Sequence, residues 1–442
     1  MAFLEHPDMP HRIFGIDGFN LWNVLMLNVI GGWLNWRSAT GITGDMPPKL
    51  RWAFFLFILV ICWAFARAVI DPTEYYDLGR ARMTIDCLIN PLKFLIPCFL
   101  FYEGCRTREQ ISWALVSIIG LYFLLSLEVF RYVGVPLAIS GQELSRRAFK
   151  AIQHSVGYNR VDMSMMLAGA SWAMVAFSQI VNLKSIRFAC WGAAALVMVA
   201  QASTGGRTGY VTWALVGLVL CLMKWRKALP VVPVLAIAVL FLFPDVRERM
   251  LMGFGVDTGA MKEEIDTSEI TSGRIVIWPY VIDKIEQAPL IGYGRLAMVR
   301  TGVADFIRDV LKDDFNHPHN AYLELLFDNG ILGFICVVPI YLSVFQRSRR
   351  LFVNRGDELV QAAGGVALAL LLALLFGAIG AQTFYPREGV VGLWAAIGVM
   401  LRVSRDLELY PPTDGHDAGG DAKAIGSEPI SDANVRGVVY NS

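Results

Sequence analysis

Two histidines at the border of a long apolar run are the first candidates for chemistry in this sequence. Residues 313–335 read DDFNHPHNAYLELLFDNGILGFI, so that His317 and His319 stand directly before the apolar residues. The proline after His317 favours an extended conformation, so the pattern predicts a helix that begins near His319 or Asn320. A helix N-terminus disfavours a protonated imidazole and attracts anions, which predicts a neutral, proton-accepting His319 beside a place for a phosphate.

Two other roles for these histidines are open on the sequence alone. One is a metal site assembled from His317, His319, Asp313 and Asp314, although none of the other four histidines lies in a recognisable ligand spacing. The other is a plain helix cap at the membrane interface. A hydrolase of the Ser/His/Asp type is disfavoured, because no nucleophile-elbow pattern is present.

Two arginines in separate stretches are candidates for holding an anion. Arg207 follows a glycine pair in STGGRTGYVTW, and Arg274 stands near the start of a predicted amphipathic surface helix in TSGRIVIWPYVIDKIEQAPLIGYGR. Glycine lets the backbone approach a bulky ligand closely, and the guanidinium fork fits phosphate or carboxylate oxygens. The alternatives are an Arg207 that reaches the lipid headgroups and an Arg274 that is simply solvated.

The composition shows what kind of protein must position these side chains. Of the 442 residues 55% are hydrophobic and 17% are charged, whereas an average soluble domain carries about 25% charged residues. The mean hydropathy is +0.49. A net charge of +1 excludes a bulk attraction to nucleic acid. The sequence therefore predicts an integral membrane protein without a nucleic-acid partner.

Eleven apolar runs are long and continuous enough to predict membrane helices rather than alternating strands. The expected fold class is an all-α integral membrane protein with about 10–12 transmembrane helices and one large, partly helical periplasmic loop. The predicted helices lie at 13–36, 50–70, 85–102, 111–133, 161–182, 186–202, 208–223, 229–243, 321–346, 360–383 and 388–402.

The distribution of Lys and Arg predicts the orientation and the domains. Alternate short connections hold these residues and read as cytoplasmic, although the connection 131–160 is an exception. By parity the long loop 244–320 faces outward. We expect a polytopic membrane domain over residues 1–409, and the polar, Gly- and Asp-rich residues 410–442 are predicted to form a disordered cytoplasmic tail.

The three stretches, taken in this order, resemble the O-antigen ligase and O-antigen polymerase superfamily. The shared pattern is an arginine at the outer end of a helix, then SGR…IW…PLxGxG, then HxHNxYLExxxxxGxxG. Here it reads GGRTG around Arg207, SGRIVIWPYVIDKIEQAPLIGYG from Ser272 to Gly294, and HPHNAYLELLFDNGILG from His317 to Gly333. The resemblance covers roughly the second half of the chain.

This resemblance implies a glycosyltransferase of the bacterial inner membrane that works without metal or other cofactor. It implies an inverting transfer at the periplasmic face, during lipopolysaccharide or exopolysaccharide assembly. The donor would be a glycan on undecaprenyl pyrophosphate, and the acceptor a sugar hydroxyl of lipid A core or of a growing glycan. Membrane lipids and other polysaccharide-assembly proteins are the further expected partners.

The resemblance also implies roles for individual residues. Arg207 and Arg274 would hold the donor pyrophosphate and stabilise the charge of the leaving group. His319, with His317 beside it, would orient or deprotonate the acceptor hydroxyl. Four further residues are candidate substrate-binding residues, although solvated loop charge is the alternative for the last of them: Asn320, Arg295, Arg300 and Arg160.

Two functions of other classes remain open from the sequence. Charges inside a membrane domain can mark the path of a transported solute, but transporters often show matching halves, and no such internal repeat is visible here. A non-catalytic polysaccharide-assembly protein is the other alternative. Ligase and polymerase share all three motifs, so the sequence does not choose between them.

Overall fold

The computed structural model describes nine stretches of the chain. They are residues 12–17, 19–41, 44–70, 79–133, 148–251, 274–311, 315–354, 356–382 and 384–409. The predicted tail 410–442 lies outside the described residues, as do residues 252–273 of the long loop. A short β-hairpin of two two-residue strands, β1 (Arg12–Ile13) and β2 (Ile16–Asp17), precedes the first helix. The rest of the regular structure described is helical, which confirms the all-α class.

Each of the eleven predicted membrane segments overlaps a helix, although the first of them, 13–36, begins in the hairpin and its helix starts only at Leu21. Short helices fill the described parts of the long loop, and a π-helical turn, Ile85–Ile89, joins α3 to α4. The helices in chain order are α1 Leu21–Thr40, α2 Pro48–Ile70, α3 Arg80–Thr84, α4 Asn90–Gly104, α5 Arg108–Tyr132, α6 Arg160–Phe177, α7 Lys184–Ser203, α8 Arg207–Met223, α9 Val231–Leu242, α10 Pro244–Leu251, α11 Arg274–Gln287, α12 Ala297–Arg300, α13 Val303–Leu311, α14 Ala321–Phe352, α15 Glu358–Gly377 and α16 Val391–Leu409.

Seven helices in the described part of the chain are long and apolar enough to cross a membrane. They are α2, α5, α6 with the 3₁₀ turn after it, α7, α14, α15 and the continuous helical segment Arg80–Gly104, called the α3–α4 rod below. Helix α8 is apolar but has 17 residues and α9 has 12, fewer than the about 20 residues that span the hydrocarbon core. The protein is therefore a multi-pass membrane protein.

Helices α6 and α15 form the centre of the bundle and are almost entirely buried. They approach closely because small residues face each other: a Cβ added at Gly169 would lie 2.6 Å from Cβ of Ala373. Large apolar side chains on the outer helices are exposed instead, among them Trp113 and Phe188. Lipid is the solvent that such a surface requires.

Helix α14 contains a break that the apolar pattern does not predict. Gly330 has φ 63° and ψ −169°, which interrupts the helical backbone. Four backbone hydrogen bonds of 2.7–3.1 Å join residues 289–294, the PLIGYG segment, to residues 327–332 around the break. Gly292 is required at this crossing, because a Cβ there would lie 2.5 Å from the carbonyl oxygen of Phe327. This part of the long loop is thus fixed to the membrane helix that follows it.

Candidate active site

The two histidines lie together in the turn that leads into α14. Asn320 caps this helix, because its Oδ1 accepts hydrogen bonds from the amides of Tyr322 at 3.0 Å and Leu323 at 3.2 Å. The predicted helix start is therefore correct. The amide of His319 donates to Nδ1 of His317 at 3.2 Å, and the two ring centres are 3.9 Å apart. His319 has φ 51°, a left-handed conformation that non-glycine residues adopt mainly where the surroundings enforce it.

Both imidazoles are neutral at neutral pH. Burial, together with the positive charges of Arg387, Arg295 and Arg274, lowers the pKa of His317 to about 3. Burial also lowers the pKa of His319 to about 3, with His317 and Arg274 acting in the same direction. The prediction of a neutral His319 from the helix N-terminus thus agrees with this result, but burial and neighbouring cations are the main cause.

The surface helix α11 holds the histidine turn in place. The indole nitrogen of Trp278, from the IW motif, donates to the carbonyl oxygen of Pro318 at 3.0 Å. The ring of Phe315 packs edge-on against His319, with centroids 5.6 Å apart. These contacts fix the peptide between the histidines, so the motif residues of two separate stretches meet at one point.

Arg274, the first residue of α11, reaches the start of the helix that carries Arg207. Its Nη2 donates to the carbonyl oxygen of Gly380 at 3.1 Å, and its Nη1 donates to Oγ1 of Thr208 at 3.4 Å. Arg207 is the residue before Thr208 and begins α8. Burial lowers the pKa of the Arg274 guanidinium from its ordinary value, but arginine remains a cation in proteins. The two predicted arginines therefore belong to one locus, and neither is a remote surface residue.

Helix α6 supports the glycine turn in front of Arg207. Arg160 donates from Nη1 to the carbonyl oxygens of Gly205 at 2.9 Å and Thr204 at 3.4 Å. The hydroxyl of Ser164 donates to the carbonyl oxygen of Gly206 at 3.2 Å. The alternative of a solvated loop charge is therefore wrong for Arg160, which is half-buried and bound to the backbone. Its role in substrate binding stays a prediction.

Arg295 forms a buried ion cluster with two carboxylates of α14. Its Nη1 donates to Oε1 of Glu324 at 2.6 Å and to Oδ2 of Asp328 at 3.0 Å, and its guanidinium lies 4.0 Å from the ring centre of Tyr385. Burial alone would lower the pKa of Arg295, but the two carboxylates outweigh burial and raise it well above the ordinary value. The four-residue spacing of Asn320, Glu324 and Asp328 thus brings two of the three to a common partner.

Arg300 is also committed to contacts within the protein. It is 2% exposed, and its Nη1 donates to the carbonyl oxygen of Tyr293 at 2.8 Å. Arg300 therefore stabilises the PLIGYG segment. Arg295 in the same way stabilises α14, and the Asn320 side chain caps that helix. The predicted substrate-binding roles of Asn320, Arg295 and Arg300 remain predictions, and their observed partners are protein groups.

Three polar residues near this cluster, Arg387, Gln382 and Asp162, are not among the candidates predicted from the sequence. Arg387 donates from Nη2 to Oε1 of Gln382 at 2.8 Å, and its Nη1 lies 3.5 Å from Oδ2 of Asp162. Gln382 in turn donates to Glu324 at 3.3 Å. The available signal was the break FYPREG between two apolar helices, which places a guanidinium at a helix end.

Only two of the four predicted metal ligands, His317 and His319, lie among the described residues. The other two, Asp313 and Asp314, lie outside them. Within the stretches that the structure does describe, no three His, Cys, Asp or Glu side chains are grouped to hold a metal ion. Independence from metal stays a prediction.

Comparisons with known proteins agree with the motif resemblance. Residues 192–338 match the family model described as O-antigen ligase. The chain is 31% identical over 111 residues to the "Putative polysaccharide ligase" of Rickettsia prowazekii (strain Madrid E), which is 23% of this chain and 26% of that protein. It is 31% identical over 91 residues to the protein of the same description from Rickettsia conorii, covering 17% of this chain and 21% of that protein.

The match to the family model covers Arg207, Arg274 and both histidines. The chain spans about a quarter of the length of the curated relatives it matches. The predicted resemblance to the O-antigen ligase superfamily is confirmed by this match.

Proposed function

We propose that the chain is a membrane glycosyltransferase of the O-antigen ligase superfamily, because residues 192–338 match the family model of that description. It moves a glycan from an undecaprenyl-pyrophosphate carrier onto an acceptor sugar hydroxyl at the periplasmic face of the bacterial inner membrane. The acceptor is lipid A core or another growing glycan. The product enters lipopolysaccharide or exopolysaccharide.

One observation carries this proposal: Arg274 bonds to Thr208, the neighbour of Arg207, while a neutral histidine pair lies close enough for Arg274 to lower both pKa values. A pyrophosphate leaves with negative charge on its terminal oxygen. Guanidiniums preorganised in a poorly hydrated site stabilise such charge without reorganisation. An uncharged base beside them can accept the proton that the acceptor loses.

The bond between the histidines supports His319 as the base. Nδ1 of His317 accepts the His319 amide, so a neutral His317 carries its proton on Nε2 and acts there as a donor. In our proposal His319 is therefore the group that accepts the proton. In the proposed step the acceptor oxygen attacks the anomeric carbon, and its proton passes to His319. The bond from that carbon to the phosphate oxygen breaks, and its electron pair stays on the pyrophosphate.

This single displacement inverts the anomeric configuration. Arg207 and Arg274 bind the pyrophosphate before and after the bond breaks, and His317 offers a hydrogen bond from Nε2. General-base assistance contributes about 10²–10⁴-fold to the rate, and loss of one preorganised charge-stabilising group costs about 10²–10³-fold in kcat.

The test is a transfer assay with the full chain in lipid nanodiscs. The donor is a carrier-linked glycan, and the acceptor is lipopolysaccharide without O-chain from a strain that lacks this protein. Three variants, His319→Ala, Arg207→Ala and Arg274→Ala, are expected to insert and fold but to transfer at least about 10²-fold more slowly. Arg308→Ala is the matched control, because Arg308 is exposed and pairs with Asp305 of its own helix.

Normal transfer by all three variants would overturn the proposal. In a separate assay the protein is placed in sealed lipid vesicles. Movement of the carrier-linked glycan across their membrane without any new glycosidic bond would support a transporter instead. In cells, accumulation of a single repeat unit after deletion indicates a polymerase, whereas long carrier-linked chains that stay unattached indicate a ligase.

A further inference from the structure

A polar cleft of about 460 Å³ lies beside the ion cluster and has no part in the chemistry described above. It is bounded by the start of α1, the α3–α4 rod and residues 385–388. Its volume falls within the about 300–1,000 Å³ of pockets that hold small ligands. The cleft is therefore large enough for a short stretch of saccharide.

The lining of the cleft suits a polyhydroxylated ligand of low net charge. Side-chain amides and carboxylates face it together with aromatic rings: Asn20, Asn23, Asn90, Asp86, Phe94 and Tyr385. A sugar hydroxyl both donates and accepts, so it pairs with amides in either direction and with carboxylates as a donor. Phe94 and Tyr385 are 4% and 5% exposed with Lys93 and Arg295 over their rings, so they form an apolar edge of the cleft.

The charges of the cleft argue against the pyrophosphate as its occupant. Lys93 and Arg387 supply two positive charges, and Asp86 and Glu388 supply two negative charges. The third cation in the lining, Arg295, is already paired with the carboxylates of α14. A pyrophosphate would gain little from such a balanced surface. The locus of Arg207 and Arg274 fits it better.

The loop between α15 and α16 connects the arginine locus to the cleft. Its Gly380 accepts from Arg274, its Gln382 contacts Glu324 of α14, and its Arg387 lines the cleft. The loop therefore runs from the proposed leaving-group side, past the start of the histidine helix, to the polar cleft. An inverting displacement needs the acceptor to arrive on the side opposite to the leaving group.

We propose that the cleft between α1, the α3–α4 rod and residues 385–388 binds the sugar residues of the acceptor. This inference rests on the proposed glycosyl transfer and adds a place for its second substrate. The ligand class is an uncharged or weakly charged saccharide, supplied either by lipid A core or by the end of a growing glycan. Arg387 forms the wall between this saccharide and the transferring groups.

Asn90 offers the sharpest test, because its amide lines the cleft and begins α4, where either replacement keeps a helical residue. Asn90→Tyr fills the cleft and Asn90→Ala removes one amide. Ile89→Tyr is the matched control, since Ile89 is 48% exposed and lies outside the lining. Transfer is measured with lipopolysaccharide lacking O-chain varied at saturating donor, and with the donor varied at saturating lipopolysaccharide. A second arm uses the carrier-linked glycan alone.

Asn90→Tyr is expected to raise KM for the acceptor about tenfold or more, and Asn90→Ala by a few-fold, while KM for the donor is unchanged. The arm that responds identifies the source of the saccharide. An unchanged acceptor KM, or a rise in donor KM alone, overturns the proposal. Equal effects of Ile89→Tyr overturn it as well.

A binding measurement separates this inference from the proposed function. Core oligosaccharide, freed from lipid A by mild acid, is added to the full chain in detergent, and contact is read by saturation-transfer NMR. If the wild-type protein transfers nothing in either arm, the proposed function is overturned. The spectra then show independently whether the cleft binds saccharide. Loss of contact signals in Asn90→Tyr supports the cleft as a saccharide site, and their persistence overturns it.

Discussion

The amide of His319 donates to Nδ1 of His317, and this single bond makes the two imidazoles unequal. One nitrogen of His317 is occupied by the backbone, so its free nitrogen is a donor. His319 has no such constraint from this bond and can accept. Because the bond lies between residues two apart in the HPH turn, the left-handed φ of 51° at His319 is part of the same arrangement. A pair that resembles two equivalent bases in sequence is thus a donor and an acceptor.

The pH dependence of transfer should reflect this buried pair. The pKa values of both histidines are lowered from about 6.5 to about 3 in the free protein, so the acid limb of kcat/KM is expected well below pH 6.5. Bound pyrophosphate offsets the positive charge of the arginines, so the limb of kcat should lie at higher pH. A kcat/KM limb with a midpoint near pH 6.5 would contradict the prediction, and His319→Ala should remove the limb.

The same shifts predict how pH changes stability. Between about pH 6.5 and 3 the unfolded chain binds protons at these histidines, whereas the folded chain does not. The free energy of unfolding therefore falls as pH decreases through this window and gains nothing from the histidines above pH 6.5. Thermal unfolding of the detergent-solubilised protein and of the double variant His317→Ala/His319→Ala gives the test. The double variant should lose less stability over this window than the wild type.

Gly380 packs against both Thr208 and Arg274 with no room for a side chain. A Cβ at this position would overlap Oγ1 of Thr208 and lie 3.1 Å from Nη1 of Arg274. Gly380→Ala should therefore displace the guanidinium and lower kcat by about tenfold or more, since a misplaced charge stabilises the transition state less. The control is Gly120→Ala, because a Cβ there meets nothing within 4 Å. Equal activity of the two variants would show that the position of Arg274 does not matter for transfer.

Much of this architecture can be predicted from the sequence because its causes are local. Apolar runs predict a helix in each of the eleven segments, and the proline after His317 predicts that α14 starts near His319 or Asn320. The ordered motifs predict that Arg207, Arg274 and the histidines share one site. The contact of Arg274 with Thr208 supports this prediction for the arginines.

What the sequence does not predict depends on partners distant along the chain. The pairing of Arg295 with Glu324 joins residues 29 positions apart, and the contact of Arg387 with Asp162 spans 225 positions. No periodicity encodes such contacts. Arg67 of α2 illustrates the same limit, because its Nη2 donates at 3.0 Å to the carbonyl oxygen of Gly292, 225 positions away.

Arg295 is expected to stabilise the fold rather than to bind substrate. It is 6% exposed, and its removal leaves Glu324 and Asp328 buried without their cation. Breaking such a pair costs about 3–5 kcal/mol. Arg295→Met should therefore lower the thermal midpoint strongly, and a triple variant that adds Glu324→Gln and Asp328→Asn should recover part of the loss. A stable Arg295→Met protein with weakened donor binding would instead support the predicted substrate contact.

The break in α14 gives a prediction about backbone conformation alone. Gly330, at φ 63° and ψ −169°, occupies a region that is essentially restricted to glycine. Gly330→Ala and Gly330→Asn should both destabilise the protein, by about 1–3 kcal/mol from the backbone and by more from overlap with Leu290. Asparagine tolerates the ordinary left-handed region. If Gly330 had the αL conformation of a common helix cap, Gly330→Asn would lose less stability than Gly330→Ala, so an equal loss in both variants shows that it does not.

Thermal unfolding measures the loss of stability, with Gly192→Ala as the control because its Cβ meets nothing within 4 Å. A Gly330→Asn protein as stable as the wild type would mean that α14 passes residue 330 without this break, and the four hydrogen bonds that fix the PLIGYG segment to it would have no basis.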